Sequence, residues 1–133
     1  MYKHILGATD FSQLGDRALQ KATELAVQLG AKLTLVHVMV SEDSASPMYA
    51  QHEVRAHVEK LKERLPENAG AVTVELAVRV GEASSEILAA AEEIDADVIV
   101  LASHGQRGLA EWLLGSTAER VVRSSRRDVL IVA

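Results

Sequence analysis

The 133-residue sequence contains no cysteine, which excludes disulfides, thiol catalysis and thiolate metal sites. Aromatic residues make up only 3% of the chain, so valine, leucine, isoleucine and alanine must fill its core. No apolar run approaches the roughly 20 residues that a membrane-spanning helix needs, and the first residues lack the pattern of a secretory signal. We therefore expect one compact domain that works in the cytoplasm without inserting into a membrane.

The chain is also short of positive charge. Its 14 lysines and arginines face 19 acidic residues, which gives a net charge of −5. This is the wrong sign for broad contact with nucleic acid or anionic lipid. The basic run RSSRR at 123–127 falls at the end of a predicted helix, where the helix dipole favours cations, and we interpret it as a solvated helix end. Nucleic acid is therefore not an expected partner.

The hydrophobic pattern alternates between strand and helix. Short apolar runs at 3–9, 32–38, 72–80, 97–103 and 128–133 predict five strands. Helical spacing predicts four helices between them: one from the N-cap Ser12 to the stop signal Gly30, and others at 54–65, 87–94 and 116–125. The polar segment 41–48 is predicted to be a loop. This alternation predicts an α/β fold, a single-domain open parallel sheet with helices on both faces.

Polar and small residues follow the first and fourth predicted strands, as ATDFS at 8–12 and ASHG at 102–105. In parallel sheets ligands bind beyond the carboxyl ends of the strands. The segment Gly-Ser-Thr at 115–117 begins the fourth predicted helix, whose free N–H groups favour an anion. Gly105 and Gly115 would let a polyphosphate approach the main chain. The alternative is that Ser116 and Glu119 merely form a capping box.

These residues resemble the universal stress protein family, whose ATP-binding members carry Gly-x2-Gly-x9-Gly-Ser/Thr after the fourth strand. Here the motif reads Ala102-x2-Gly105-x9-Gly115-Ser116, so an alanine replaces the first glycine. The segments ILGATDFS, LVHV and DVLIVA resemble the family's first, second and last strands, although Asp128 stands where a proline is common. The resemblance covers residues 1–133. It implies a Rossmann-like, adenine nucleotide alpha hydrolase-like sheet in the order 3-2-1-4-5.

The resemblance also implies a ligand, ATP, with Mg²⁺ on its phosphates. Asp10 would contact the adenosine half and the backbone of Val38 the adenine edge, while the glycine motif would hold ribose and phosphates. The candidate nucleotide-binding residues are Ala8, Thr9, Asp10, Val38, Leu101, Ala102, Ser103, His104, Gly105, Gly115, Ser116 and Thr117.

Several of these polar residues also have structural interpretations. Asp10 could serve only as a turn former, and His104 reads as a loop hydrogen-bonder because no carboxylate is identified as its orienting partner. His37 is interpreted as a packing residue of the second strand. His52 and His57 are five residues apart on a predicted helix, on different faces, so no metal pair is expected. We assign no catalytic residue and no protein metal ligand.

Three functions remain open at this point. The first is a nucleotide-dependent regulatory or stress-response protein with an unidentified protein partner. The second is a slow ATPase or phosphotransferase, against which the sequence shows no Walker loop, no lysine beside the glycines and no SGGxDS loop. The third is a dimeric interaction module with a degenerate site. Ala102 favours the third interpretation, and retention of Gly105, Gly115 and Ser116 opposes it.

The last predicted strand indicates how the chain assembles. In the 3-2-1-4-5 order DVLIVA lies at a sheet edge, and from Val129 to Ala133 it has no lysine or proline to block pairing. We therefore expect a homodimer through this strand, which is the family's usual dimer as the resemblance implies. The alternatives are that a loop of the same chain covers the edge, or that assembly uses the third strand at the opposite edge.

Overall fold

The computed structural model describes residues 1–40, 47–105 and 113–133. Within these ranges strands and helices alternate along the chain. The strands are β1 (His4–Thr9), β2 (Lys32–Met39), β3 (Val74–Val80), β4 (Val98–Ala102) and β5 (Asp128–Val132). The helices are α1 (Gln13–Leu29), α2 (Pro47–Glu63), α3 (Ala83–Ile94) and α4 (Ser116–Ser124), with a short 3₁₀ helix at Glu67–Ala71.

The five strands form one parallel sheet in the order β3-β2-β1-β4-β5. β1 is central: its Ile5 pairs with Leu33 of β2 on one side and with Val98 of β4 on the other. The predicted fold class and strand order are therefore confirmed. The polar segments that follow β1 and β4 leave the sheet side by side, at the point where the winding direction reverses.

Successive residues of the central strand supply two separate cores, one on each face of the sheet. Ile5 packs with residues of α1 and α2, whereas Leu6 packs with residues of α3 and α4. Both side chains are fully buried. Because side chains alternate across a strand, a sheet covered on both faces needs continuous apolar strands of this kind.

The ends of α1 confirm the predicted boundary residues. The Ser12 hydroxyl accepts a hydrogen bond from the N–H of Gly15 at 3.0 Å, and Gly30 ends the helix with a φ of 63°. That backbone conformation costs glycine little, since it has no Cβ.

Three predicted starts were wrong. α3 begins at Ala83, directly after its N-cap Glu82, rather than at residue 87. α2 begins at Pro47, inside the segment predicted as a loop, because proline suits the first position of a helix; residues 41–46 of that segment lie outside the described ranges. β3 begins at Val74 rather than at residue 72, because the 3₁₀ helix extends to Ala71 and Val72 caps it.

Candidate functional site

A pocket of about 400 Å³ lies at the carboxyl ends of β1, β2 and β4, between the starts of α3 and α4. That volume lies within the range typical of small-ligand pockets. Eleven of the twelve residues predicted for the site line it: Ala8, Thr9, Asp10, Val38, Leu101, Ala102, His104, Gly105, Gly115, Ser116 and Thr117. The structure therefore brings together, around one cavity, segments that are up to about a hundred residues apart in sequence.

Ser103 is the predicted site residue that does not line the pocket. It is buried, its N–H donates to the carbonyl of Val132 at 2.8 Å, and its own carbonyl accepts the N–H of Gly115 at 2.7 Å. Ser103 thus ties the end of β4 to the end of β5 and to the start of α4. Its contribution is to hold the pocket's backbone in place.

Sequence reasoning missed five lining residues: Gly15, Val36, Ala83, Ile87 and Ala118. Ala83 and Ile87 lie four residues apart on the first turns of α3, so they share one face of that helix. Together with Val36, Val38 and Leu101 they give the pocket an aliphatic surface. Such a surface suits a flat, weakly polar ring system, with the few polar lining groups setting its orientation.

Asp10 is held in a fixed position where β1 ends. Its Oδ1 atom accepts the N–H of Ser12 at 3.0 Å, and the hydroxyl of Thr9 accepts the N–H of Phe11 at 3.0 Å. Phe11 itself adopts a left-handed backbone conformation with a φ of 67°. A Cβ at Gly105 would collide with Oδ2 of Asp10. Asp10 is thus both a turn residue and a wall of the pocket.

No described side chain caps the first turn of α4, and the capping-box interpretation was wrong because Ser116 is not the N-cap. The N-cap is Gly115, so Ser116 is the first helical residue rather than the cap. Glu119 instead pairs with Arg123 through an oxygen–nitrogen distance of 2.6 Å. Because Ser116, Thr117 and the following Ala118 all line the pocket, the helix start faces the cavity with its donors uncapped by any described side chain.

Gly115 lies in close packing between loops, a feature that the sequence did not suggest. A Cβ there would lie 3.2 Å from Cα of His104 and 3.3 Å from the carbonyl oxygen of Ser103. The missing side chain therefore leaves room for the protein's own backbone. His104 is half-buried, and its Nδ1 atom lies 3.3 Å from the carbonyl oxygen of Gly105.

A stack of three rings supports the pocket from the side of α2. The ring of His37 lies 3.9 Å from that of Phe11 and 5.2 Å from that of His57, nearly parallel to both. Nδ1 of His37 lies 2.8 Å from the carbonyl oxygen of Thr9, a lining residue. Burial among these rings lowers the pKa of His37. His37 therefore does more than fill space, because it fixes the backbone at the end of β1.

No helix in the described part of the chain is both long enough and apolar enough to cross a membrane. Within residues 1–40, 47–105 and 113–133, no three histidine or carboxylate side chains converge as a metal site would require.

Comparison with known proteins places the chain in a family. The model of the universal stress protein family matches residues 1–133. Universal stress protein YxiE of Bacillus subtilis is 33% identical, over 99% of both chains. Universal stress protein MJ0577 of Methanocaldococcus jannaschii is 30% identical, over 99% of this chain and 95% of the relative.

Solved structures agree with these sequence relatives. The structure of MJ0577 superposes with a TM-score of 0.81 at 30% identity, covering 99% of this chain and 96% of that one. A universal stress protein in complex with cAMP superposes with a TM-score of 0.77 at 30% identity, covering 99% and 97%. Each of these matches covers at least 95% of both chains, and the chain belongs to the universal stress protein family.

Proposed function

We propose that residues 1–133 form one universal stress protein domain that binds an adenine nucleotide in this pocket and acts as a nucleotide-dependent regulatory protein. The observation that carries the proposal is the start of α4, which no described side chain caps, at a cavity that also has an aliphatic surface. A base and a phosphate need those two surfaces, at opposite ends of one site. The related structure in complex with cAMP supports an adenine ligand.

In this proposal each lining group has a distinct role. The base lies among Val38, Ile87 and Leu101, and the Asp10 carboxylate accepts a hydrogen bond from the adenosine half. The phosphates lie at the start of α4, where Ser116 and Thr117 add hydroxyl donors to the free backbone N–H groups. We propose ATP as the nucleotide, with Mg²⁺ on its phosphates neutralising part of their charge.

The pocket is better suited to binding than to catalysis. Among the lining residues that the structure describes there is no lysine or arginine to stabilise charge that develops during phosphoryl transfer. The described contact of the His104 ring is with a backbone carbonyl, which does not make it a general base. We therefore propose that bound nucleotide changes affinity for an unidentified protein partner in the cytoplasm.

We further propose a homodimer through β5. This strand is at the sheet edge, and its hydrophobic Leu130 is 38% exposed while Val129 and Ile131 are half-buried. An edge strand with unpaired backbone groups and apolar side chains favours pairing with another strand. Antiparallel pairing of two β5 strands about a two-fold axis would satisfy both edges with one self-complementary surface.

Calorimetric titration with ATP and Mg²⁺ tests the nucleotide proposal. Ser116→Ala removes a hydroxyl donor at the phosphate end and is expected to weaken ATP binding about tenfold, or ~1.4 kcal/mol. Ser124→Ala, at the far end of α4, is the matched control and is expected to bind like the wild type. Equal affinities in all three proteins would remove the start of α4 from the site.

A further inference from the structure

A second cavity, of about 250 Å³, lies between the carboxyl-terminal half of α3 and the turn that joins α4 to β5. Its described lining residues differ from all of those that line the first pocket. The volume is somewhat below the ~300 Å³ at which sites for drug-sized ligands begin, so the cavity suits a small molecule. It is therefore a separate candidate site, toward the far ends of α3 and α4.

Part of the lining of this second cavity is apolar. Leu88 and Ala91 lie three residues apart on α3, so they share one face of that helix. Ile99 of β4 also lines the cavity and is fully buried. These residues give the cavity an aliphatic surface, where an apolar group of a ligand would be removed from water.

The lining also carries a net positive charge. Its charged members among the described residues are Arg126 and Arg127, from the turn before β5, and Glu92 of α3. Two positive charges against one negative charge leave the lining cationic, although the whole chain has a net charge of −5. Because Glu92 pairs with Arg127, the remaining charge is that of Arg126, which is exposed to solvent. A local positive charge of this kind attracts an anionic ligand.

Arg127 is not part of a solvated helix end, because its side chain is 15% exposed and held at several points. Nη1 lies 3.2 Å from Oε1 of Glu92, and Nη2 lies 3.0 Å from Oδ1 of Asp95. Its backbone N–H donates to the hydroxyl of Ser125 at 2.9 Å, and that hydroxyl donates to its carbonyl at 2.9 Å. These bonds fix one wall of the cavity before any ligand binds, which lowers the cost of ordering on binding.

One donor of Arg127 is not used by these contacts. Nε is buried and, among the described residues, meets no hydrogen-bond acceptor. A buried donor without an acceptor is costly, and such groups in native proteins call for an explanation. An oxygen atom of a ligand in the cavity that Arg127 lines would supply an acceptor.

We propose that this second cavity binds a small organic anion, with a carboxylate or phosphate group on a short apolar body. The apolar body lies against Leu88, Ala91 and Ile99. The anionic group is held by the Arg126 guanidinium and the Ser124 hydroxyl, since guanidinium groups bind carboxylate and phosphate oxygens through paired hydrogen bonds. The inference does not depend on the proposed nucleotide site.

Titration of the ¹⁵N-labelled protein with four small probes tests this proposal. Benzoate and phenyl phosphate carry both a ring and a charge, benzyl alcohol carries the ring alone, and inorganic phosphate carries the charge alone. We expect saturable amide shifts at 88–92 and 124–127 with benzoate or phenyl phosphate, and the tighter of the two identifies the preferred anionic group. Benzyl alcohol and inorganic phosphate are each expected to bind about tenfold more weakly than that anion.

Matched variants test the assigned roles. Arg126→Gln is expected to weaken the preferred anion about tenfold and to leave benzyl alcohol unchanged. Arg123→Gln is the control, because Arg123 is exposed, pairs with Glu119 and is not among the lining residues. It is expected to bind all four probes like the wild type. Ala89→Leu adds bulk at a lining position and should weaken the anion and benzyl alcohol alike.

Two results would overturn the proposal. The first is the absence of saturable shifts at 88–92 and 124–127 with either ring-bearing anion at tens of millimolar. The second is equal binding of inorganic phosphate, or an equal loss in Arg126→Gln and Arg123→Gln, which would mean that surface arginines attract any anion. None of these titrations uses a nucleotide, so a failure of ATP to bind the first pocket would leave this proposal standing.

Discussion

His37 donates a hydrogen bond from Nδ1 to the carbonyl oxygen of Thr9, 2.8 Å away. A carbonyl can only accept, so this nitrogen carries the proton, and a second proton would have to enter at Nε2 inside the ring stack. The stack thus joins the end of β1, which lines the pocket, to His57 of α2. A buried imidazole in this position makes stability depend on pH.

The free energy of unfolding is expected to decrease as the pH falls below about 6.5, the ordinary pKa of histidine. Burial lowers the pKa of His37 in the folded protein, with nearby Lys60 and His57 acting in the same direction and Asp10 and the Thr9 carbonyl opposing them. The unfolded chain therefore binds a proton that the folded chain resists, so acid favours unfolding.

Denaturant unfolding of His37→Asn between pH 5 and 8 measures this contribution. Asparagine keeps an N–H donor for the Thr9 carbonyl but does not titrate, so a smaller loss of stability on acidification is expected. The control His52→Asn changes an exposed histidine of the same helix as His57 and should keep the wild-type slope. An unchanged slope in His37→Asn would contradict the assignment.

The packing of Gly115 predicts a loss of stability in Gly115→Ala. The new methyl would press on Cα of His104 and the carbonyl of Ser103, and overpacking of this kind costs about 1 to 3 kcal/mol. Gly70→Ala is the matched control, because a Cβ there meets nothing within 4 Å. It is expected to be neutral or to stabilise by up to about 1 kcal/mol. Equal thermal midpoints for Gly115→Ala and Gly70→Ala would show that the backbone at Ser103 and His104 accommodates the added methyl group without loss of stability.

An alanine, Ala102, replaces the first glycine of the motif. We therefore expect ATP affinity to depend on the size of the side chain at this position. Ala102 is one of the lining residues, so Ala102→Gly is expected to hold or improve ATP affinity. Ala102→Val adds bulk at the same point and should weaken ATP more than tenfold. A clear loss in Ala102→Gly, measured by calorimetry with circular dichroism unchanged, would show that the nucleotide does not approach this residue.

The proposed dimer predicts the mass of the protein in solution. Light scattering at micromolar concentration should give twice the 14.3 kDa chain mass. Ile131→Lys places a charge on the edge strand and is expected to give monomers. A monomer mass for the wild type would exclude pairing through β5, and an unchanged dimer in Ile131→Lys would point to another surface, such as β3 at the opposite edge.

The sequence predicted those parts of the fold that depend on local pattern. Apolar runs located all five strands, and the Ser12 and Gly30 signals located both ends of α1. The sequence did not predict which residue caps α4. The spacing of Ser116 and Glu119 is the same whether the serine is the N-cap or the first residue of the helix. Only the backbone shows that Gly115 takes the cap position.

The parts of the site that the sequence did not predict depend on tertiary packing. Ala83 and Ile87 reach the pocket because α3 connects β3, at the sheet edge, to β4 on the other side of β1, and so crosses the face of the sheet. No local sequence motif indicates this path. A Cβ at Gly105 would meet the Asp10 carboxylate, which lies ninety-five residues earlier in the chain. A one-dimensional pattern records that a glycine is present but not which atom excludes its side chain.

We propose above all that the pocket between α3 and α4 binds an adenine nucleotide. Titration of ATP and Mg²⁺ into the ¹⁵N-labelled wild type, followed by amide resonances, tests it most directly. The account predicts saturable shifts at Asp10, Gly105 and the 115–117 segment, with β5 and the far end of α4 little affected. The absence of saturable shifts up to millimolar ATP, or shifts confined to residues away from the pocket, would contradict it.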